Sequence, residues 1–323
     1  MSFLKSLYGR YEDLVGATEK ALGDNYSSII YILIAIVTNS GMIAWSKVHA
    51  DVLPPVQSQL YRGILMTVLI YAYARYKDIP LTVKDKQKDF IRIMRNVLAA
   101  GFNIFVYFIV TKIPMSTFML VQTSSPFMVA FLDHLYLKTS YNKAEAILSV
   151  VSLSGVLLII KPDLFFDVDL SQQAAKYGYS EGSERLFWIV LTFIGVFIWC
   201  ISIVLMKFLK GMHAMTLNFP FGITMMMGSA FCQIEMAQAK QQTSWVYAQI
   251  LVVLGLVTFI NQHTYVKANQ LGKPAKITML TNLNVVCSFL FEIFYLGESA
   301  HWVSLLGALL IVGASVALSF SRL

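Results

Sequence analysis

Asp133 and Glu292 stand near the ends of two long apolar runs, in the stretches FLDHLYLK and FLFEIFYLG. A carboxylate in such a place can bind a proton, gate a passage, or reach the polar edge of the layer around it within about one and a half helical turns. Each of these readings stays open for both acids, while His134, beside Asp133, reads as interfacial. Arg62 lies inside a third apolar run. A charge at the centre of a bilayer costs about 2.5–3.5 kcal/mol on insertion scales, so an arginine there needs a wet cavity or an acidic partner. Its fork of N–H donors could hold a carboxylate or phosphate bidentately, or it could snorkel outward or pair between helices. Asn103, Gln122, His263, Asn282 and Asn284 also fall within apolar runs. Polar groups in hydrocarbon need partners. Either a central cavity supplies them or helix–helix hydrogen bonds do, at about 0.6 kcal/mol each. No P-loop, dinucleotide fingerprint, metal-ligand spacing or nucleophile elbow accompanies these residues, so no cofactor, no metal and no enzyme activity is expected.

The elements that carry them are apolar throughout. The chain has 323 residues, 57% hydrophobic and only 13% charged, where a soluble domain is about 25% charged. Ten runs are candidate membrane spans, at approximately 27–48, 55–76, 91–111, 115–137, 143–160, 186–209, 214–236, 245–268, 274–296 and 302–320. Each can cross a hydrocarbon core of about 30 Å as a helix. The fold class expected is an all-α polytopic membrane protein. Cys200, Cys232 and Cys287 all lie within runs and read as free thiols. The net charge of +7 sits in short loops, which fits orientation in a lipid bilayer rather than nucleic-acid binding.

With the N-terminus on the cytosolic side, 18 of the 25 basic residues fall on cytosolic segments and 6 on the opposite face. The first cytosolic hairpin alone holds Arg75, Lys77, Lys84, Lys86, Lys88, Arg92 and Arg95. The positive-inside rule then places both termini in the cytosol or its matrix equivalent. Residues 1–26 carry Leu4, Leu7, Tyr11, Leu14, Val15 and Leu22 at helical spacing, an amphipathic segment suited to a membrane surface or a partner. Residues 161–185 read as a solvated connection.

A shift of 159 residues lays Asp133 on Glu292, Tyr136 on Tyr295 and Asn103 on Gln262. It also brings Gly155 within a residue of Gly313. The chain therefore reads as two five-helix units, 27–160 and 186–323. Because five is odd, the units are inverted in the membrane, a recurrent build of secondary transporters. Arg62-Gly-Ile-Leu-Met, MSTFMLVQTSSPFMVAFLDHLYLK from Met115 and SLSGVLLIIKP from Ser152 resemble the EamA-type drug/metabolite transporter superfamily. The nearest-looking branch is the eukaryotic solute-carrier family thirty-five, group G. That resemblance implies a ten-helix, five-plus-five inverted-repeat fold. The family pattern of an early arginine, a Ser-Pro and a Leu-Gly-Glu is met by Arg62, Ser125-Pro126 and Leu296-Gly297-Glu298. In the first repeat Lys138-Thr139 replaces Gly-Glu.

The expectation is a secondary transporter of a small polar or anionic organic solute, working by alternating access, with Arg62, Asn103, Gln122, Asp133, His263, Asn284 and Glu292 as site residues. The rival is a non-transporting structural subunit of a larger membrane complex built on the same fold. A homodimer is a third arrangement, with Gly307, Gly313 and Ala317 as its small-residue face.

Overall fold

The structure, a computed structural model, describes residues 23–24, 26–42, 55–109, 118, 121–138, 143–160, 182–235, 245–296 and 302–320. The amphipathic segment expected over 1–26 lies outside these residues but for positions 23, 24 and 26, as does the expected connection but for 182–185. The described chain is helical between its turns. The helices are α1 (Tyr26–Met42), α2 (Pro55–Tyr76), α3 (Lys86–Ile109), α4 (Ser125–Leu137), α5 (Lys143–Ile160) and α6 (Gly182–Phe208). They continue as α7 (Ala214–Glu235), α8 (Trp245–Leu271), α9 (Pro274–Leu280), α10 (Leu283–Leu296) and α11 (Trp302–Phe320). With α9 and α10 taken as one interrupted rod, the described residues form ten helical rods, and α2, α5 and α11 coincide with the expected boundaries.

Among the described residues, Leu186–Phe208 is long and apolar enough by itself to cross a bilayer. Tyr26–Met42, Ala146–Leu158 and Leu305–Ala317 are shorter apolar helices. Other helices carry polar or charged groups inside their length, as α3 carries Arg92, Arg95 and Asn103. Those groups are what the site is made from.

Three buried clusters organise the bundle. One joins α3, α4 and α6 through Phe102, Val129 and Ile203. A second joins α1, α8 and α9 through Ile32, Ala268 and Ile277. The third lies between them, where Met66 and Ile70 of α2 meet Ala99 of α3, Met215 and Phe221 of α7 and Phe259 of α8. Helix α2 packs along α7, α5 along α11, and α4 against α9.

Glycine sets the closest of these approaches. A Cβ on Gly63 would stand 2.9 Å from the Met226 backbone nitrogen and 3.2 Å from the Gly222 carbonyl. A Cβ on Gly222 would strike Thr67 in return. Small residues at such a crossing let two backbones touch, which in lipid is a main source of helix association. Gly155 does the same for α5 and α11, with the Gly307 carbonyl 2.6 Å from where its Cβ would be.

Candidate functional site

Two of the spans are broken midway. The turn at Ser124 precedes α4, with Ser124 N–H donating to the Val121 carbonyl (3.1 Å) and Phe127 N–H to the Ser124 carbonyl (3.1 Å). These are i→i−3 bonds in place of the α-helical i→i−4 ladder. Pro126, at the start of α4, has no N–H to offer the carbonyl of Gln122. Between α9 and α10 the same pattern recurs. Asn282 N–H donates to Met279 (3.1 Å), Asn284 N–H to Thr281 (2.9 Å) and Val285 N–H to Asn282 (3.0 Å). A 3₁₀ stretch inside a long helix often marks a hinge. Unwound backbone at mid-span is tolerated in lipid only where protein or a cavity surrounds it.

Polar side chains gather at these breaks. Half-buried Gln122 lies in the first. At the second, Asn282 Nδ2 donates to Ser152 Oγ on α5 at 3.0 Å. Asn284 Oδ1 accepts from Ser40 Oγ on α1 at 3.2 Å and from Asn39 Nδ2 at 3.5 Å. Facing the first break, Cys200 Sγ of α6 lies 3.8 Å from the Ser125 carbonyl.

The remaining expected residues are placed as follows. Arg62, 8% exposed, donates from Nε to Thr258 Oγ1 on α8 at 2.9 Å. Thr258 is held in turn by the Leu254 carbonyl at 2.6 Å. His263 is buried on the same helix, five residues on, or about 7.5 Å along the axis. Its neighbour Asn261 ties α8 to α1, donating to the Ala35 carbonyl at 2.7 Å. The Asn103 amide folds back on its own helix, donating to the Ala99 carbonyl at 2.9 Å. Asp133 turns inward at 1% exposure, within electrostatic range of Lys207 on α6, while His134 is exposed. It stands nine residues beyond Ser124, about 13 Å from the break. Glu292 lies on α10, and its side chain falls outside the described residues.

Two further residues sit where the sequence had suggested loop charge. Arg92 and Arg95 were counted toward the cytosolic hairpin, yet both are buried in α3. Arg92 Nη1 donates to the carbonyls of Leu81 (2.8 Å) and Thr216 (2.9 Å), and Nη2 pairs with Asp89 at 2.5 Å. Arg95 Nη1 donates to Asn96 Oδ1, whose own Nδ2 donates to the Leu217 carbonyl at 2.7 Å. At the same end Lys207 Nζ donates to the last carbonyls of α8, Gln270 (3.2 Å) and Leu271 (3.4 Å). Gln270 Nε2 donates to the Leu209 carbonyl at 2.9 Å. One end of α3, α6, α7 and α8 is thus latched by directional bonds. Positional counting misses this, because it registers a charge near a span end without its neighbours.

An apolar groove of about 710 Å3 runs between α4 and α6, lined by Ser124, Phe127, Phe131, Ile189, Phe193 and Phe197 among others. Apart from Ser124, the residues named there are apolar.

The sequence pattern of the EamA-like transporter family matches residues 26–161 and again 186–320. Human solute carrier family 35 member G1 is 21% identical over 264 residues, 81% of this chain and 70% of that protein. The pseudopaline exporter CntI of Pseudomonas aeruginosa is 21% identical over 92% of this chain and 97% of its own length. A probable transport protein of Saccharomyces cerevisiae is 24% identical over 87% of this chain and 84% of its own. A solved crystal structure superposes with a TM-score of 0.74 over 93% of this chain, at 14% identity, a likeness of fold alone.

Proposed function

This chain belongs to the EamA-like transporter family of multi-pass membrane proteins, and from that premise we propose that it is an alternating-access transporter of a small polar or anionic organic metabolite. The observation that carries the proposal is the pair of mid-span breaks at Ser124 and at Thr281–Asn282, with Gln122, Asn282 and Asn284 gathered on them. Interrupted helices that meet near the bilayer midplane are where secondary transporters bind their cargo, using half-helix ends and freed carbonyls.

Several contacts support the inverted-repeat reading, 27–160 against 186–323. Gly63 and Gly222 are 159 residues apart, as are Thr67 and Met226, and each glycine abuts the other's partner residue. The contact of α3 with α7 has its counterpart in α2 with α8, and that of α3 with α6 in α1 with α8. The contact of Cys200 with Ser125 stands within a residue of that between Ser40 and Asn284 after the same shift. The curated relatives' names support transport as such, since one is called an exporter and another a transport protein.

In this reading the two halves rock about the α2–α7 crossing, and the breaks are exposed to one face at a time. Arg62 stands at one level of the passage through Thr258, and the bonds of Arg92, Gln270 and Lys207 close the end at which the basic hairpin lies.

The test is uptake by the purified protein in proteoliposomes, with radiolabelled organic acids, sugar phosphates, amino acids and organic cations offered at two internal pH values. Saturable uptake of a polar or anionic solute, stimulated by the same solute inside the vesicle, is the expected result. Vesicles that take up none of these solutes above empty liposomes would contradict the proposal.

A further inference from the structure

We propose that Arg95 is an anion-binding residue of the transport site, poised to hold the carboxylate or phosphate of a small organic substrate between the two halves. The inference rests on the transporter reading above and names the substrate chemistry of that site.

Arg95 is 1% exposed and is among the largest fully buried side chains of the protein. It lies nine residues into a helix of 24, about 14 Å from the helix start. A guanidinium has five N–H donors and carries its charge at any physiological pH. Among the described residues, the acceptors it meets are one neutral amide oxygen, Asn96 Oδ1, and one thioether, Met206 Sδ at 3.4 Å. Its Nε has no acceptor. The face of the cation lies 5.9 Å from the centre of the Phe221 ring. Tyr265 of α8 is within electrostatic range. No carboxylate pairs with it among the described residues. Soft acceptors and a ring face offset little of the cost of placing a full charge away from water.

Two comparisons separate this arginine from a structural one. Arg92, one turn earlier, also leaves its Nε without an acceptor, but it meets the Asp89 carboxylate and two carbonyls, so its charge is balanced. A shift of 159 lays Arg95 on Leu254, which is itself buried. The corresponding place in the other half is filled by an aliphatic side chain, so packing does not require a cation. Arg95 belongs to the first half, and the side chains around it belong to the second, with Met206 on α6, Phe221 on α7 and Tyr265 on α8. An anion placed there would be held where the halves meet, and a planar carboxylate or phosphate would satisfy the free Nε together with an Nη.

The test titrates the purified protein in detergent with succinate and with inorganic phosphate, using succinamide as the uncharged probe, and reads the thermal unfolding midpoint. Wild type should shift with at least one anion and not with succinamide. Arg95→Gln should weaken that binding about tenfold or more. Lys88→Gln, which removes one positive charge from the exposed start of the same helix, should leave it unchanged. If Arg95→Gln does not yield folded protein, Arg95→Lys decides, because it keeps charge and length and loses the fork; about tenfold weaker binding is again expected. Binding as in wild type by either variant overturns the proposal, as does a wild-type midpoint that moves with neither anion. Uptake of a cation or neutral solute alongside that result would leave transport standing and remove the anion site. Uptake of nothing would remove both.

Discussion

The described residues of 26–160 and of 182–320 each place a glycine at their crossing and differ in the polar residues beside it. At the α2–α7 crossing each side contributes a glycine, Gly63 and Gly222, and a Cβ on either would collide with the opposite helix. One residue away the symmetry is lost, since Arg62 corresponds to Phe221. Asn96 corresponds to Gly255 and Arg95 to Leu254, while the amide of Asn103 is kept in Gln262. In the proposed reading the difference has a physical cause. A rocking bundle needs matched crossings so that its two states have similar energies, whereas an organic solute has no twofold axis. The groups that touch the solute are then free to diverge while the pivots are not.

The sharpest way to break that comparison is to fill the crossing. Gly63→Leu and Gly222→Leu should each cost about 3 kcal/mol or more, because the backbone of α7 stands in the way of the first and the short Thr67 side chain in the way of the second. Both should lose monodisperse protein in size-exclusion chromatography to a similar extent. A mild phenotype for one alone would show that the crossing is not shared. Arg62→Ala tests the polar side. It should reduce uptake of an anionic substrate about tenfold or more, while Thr258→Val, which removes one hydrogen bond worth about 1 kcal/mol, should reduce it several-fold. Equal uptake by Arg62→Ala across an anion panel would take that arginine out of the site.

The smallest effect lies at the end of α4. Lys138 closes that helix with φ +53°, a left-handed conformation that suits glycine, and in the sequence a shift of 159 lays Lys138 on Gly297. Lys138→Gly should therefore stabilise the protein by about 1 kcal/mol, read as a higher thermal midpoint with uptake unchanged. A lower midpoint would mean that the lysine makes a contact worth more than its backbone strain.

The span positions were legible because hydrophobic run length and short polar turns mark them directly, and α2, α5 and α11 begin and end where the runs do. The alignment of Asp133 with Glu292 under a shift of 159 stands out in the sequence because acids are rare in such surroundings. The breaks were not. Only one of them contains a proline, Pro126, and the one at Thr281–Asn282 is written in ordinary residues with local i→i−3 backbone bonds. Arg92 and Arg95 were misplaced for a related reason. They lie at i and i+3 near a span end, where a charge rule reads loop, and only the approach of α6, α7 and α8 shows that the same helix face is interior. Asn103 was expected to meet either a central cavity or a neighbouring helix, and it finds a partner on its own helix at Ala99.

The most direct measurement of alternating access is labelling of Gln122→Cys in a protein whose Cys200, Cys232 and Cys287 are replaced by alanine. The protein is reconstituted in one orientation, and a membrane-impermeant maleimide is added to one face or the other. The account predicts modification from both faces, each blocked by transported solute, because the break beside Ser124 opens to either side in turn. Modification from neither face, or from a single face under every gradient applied, would contradict it.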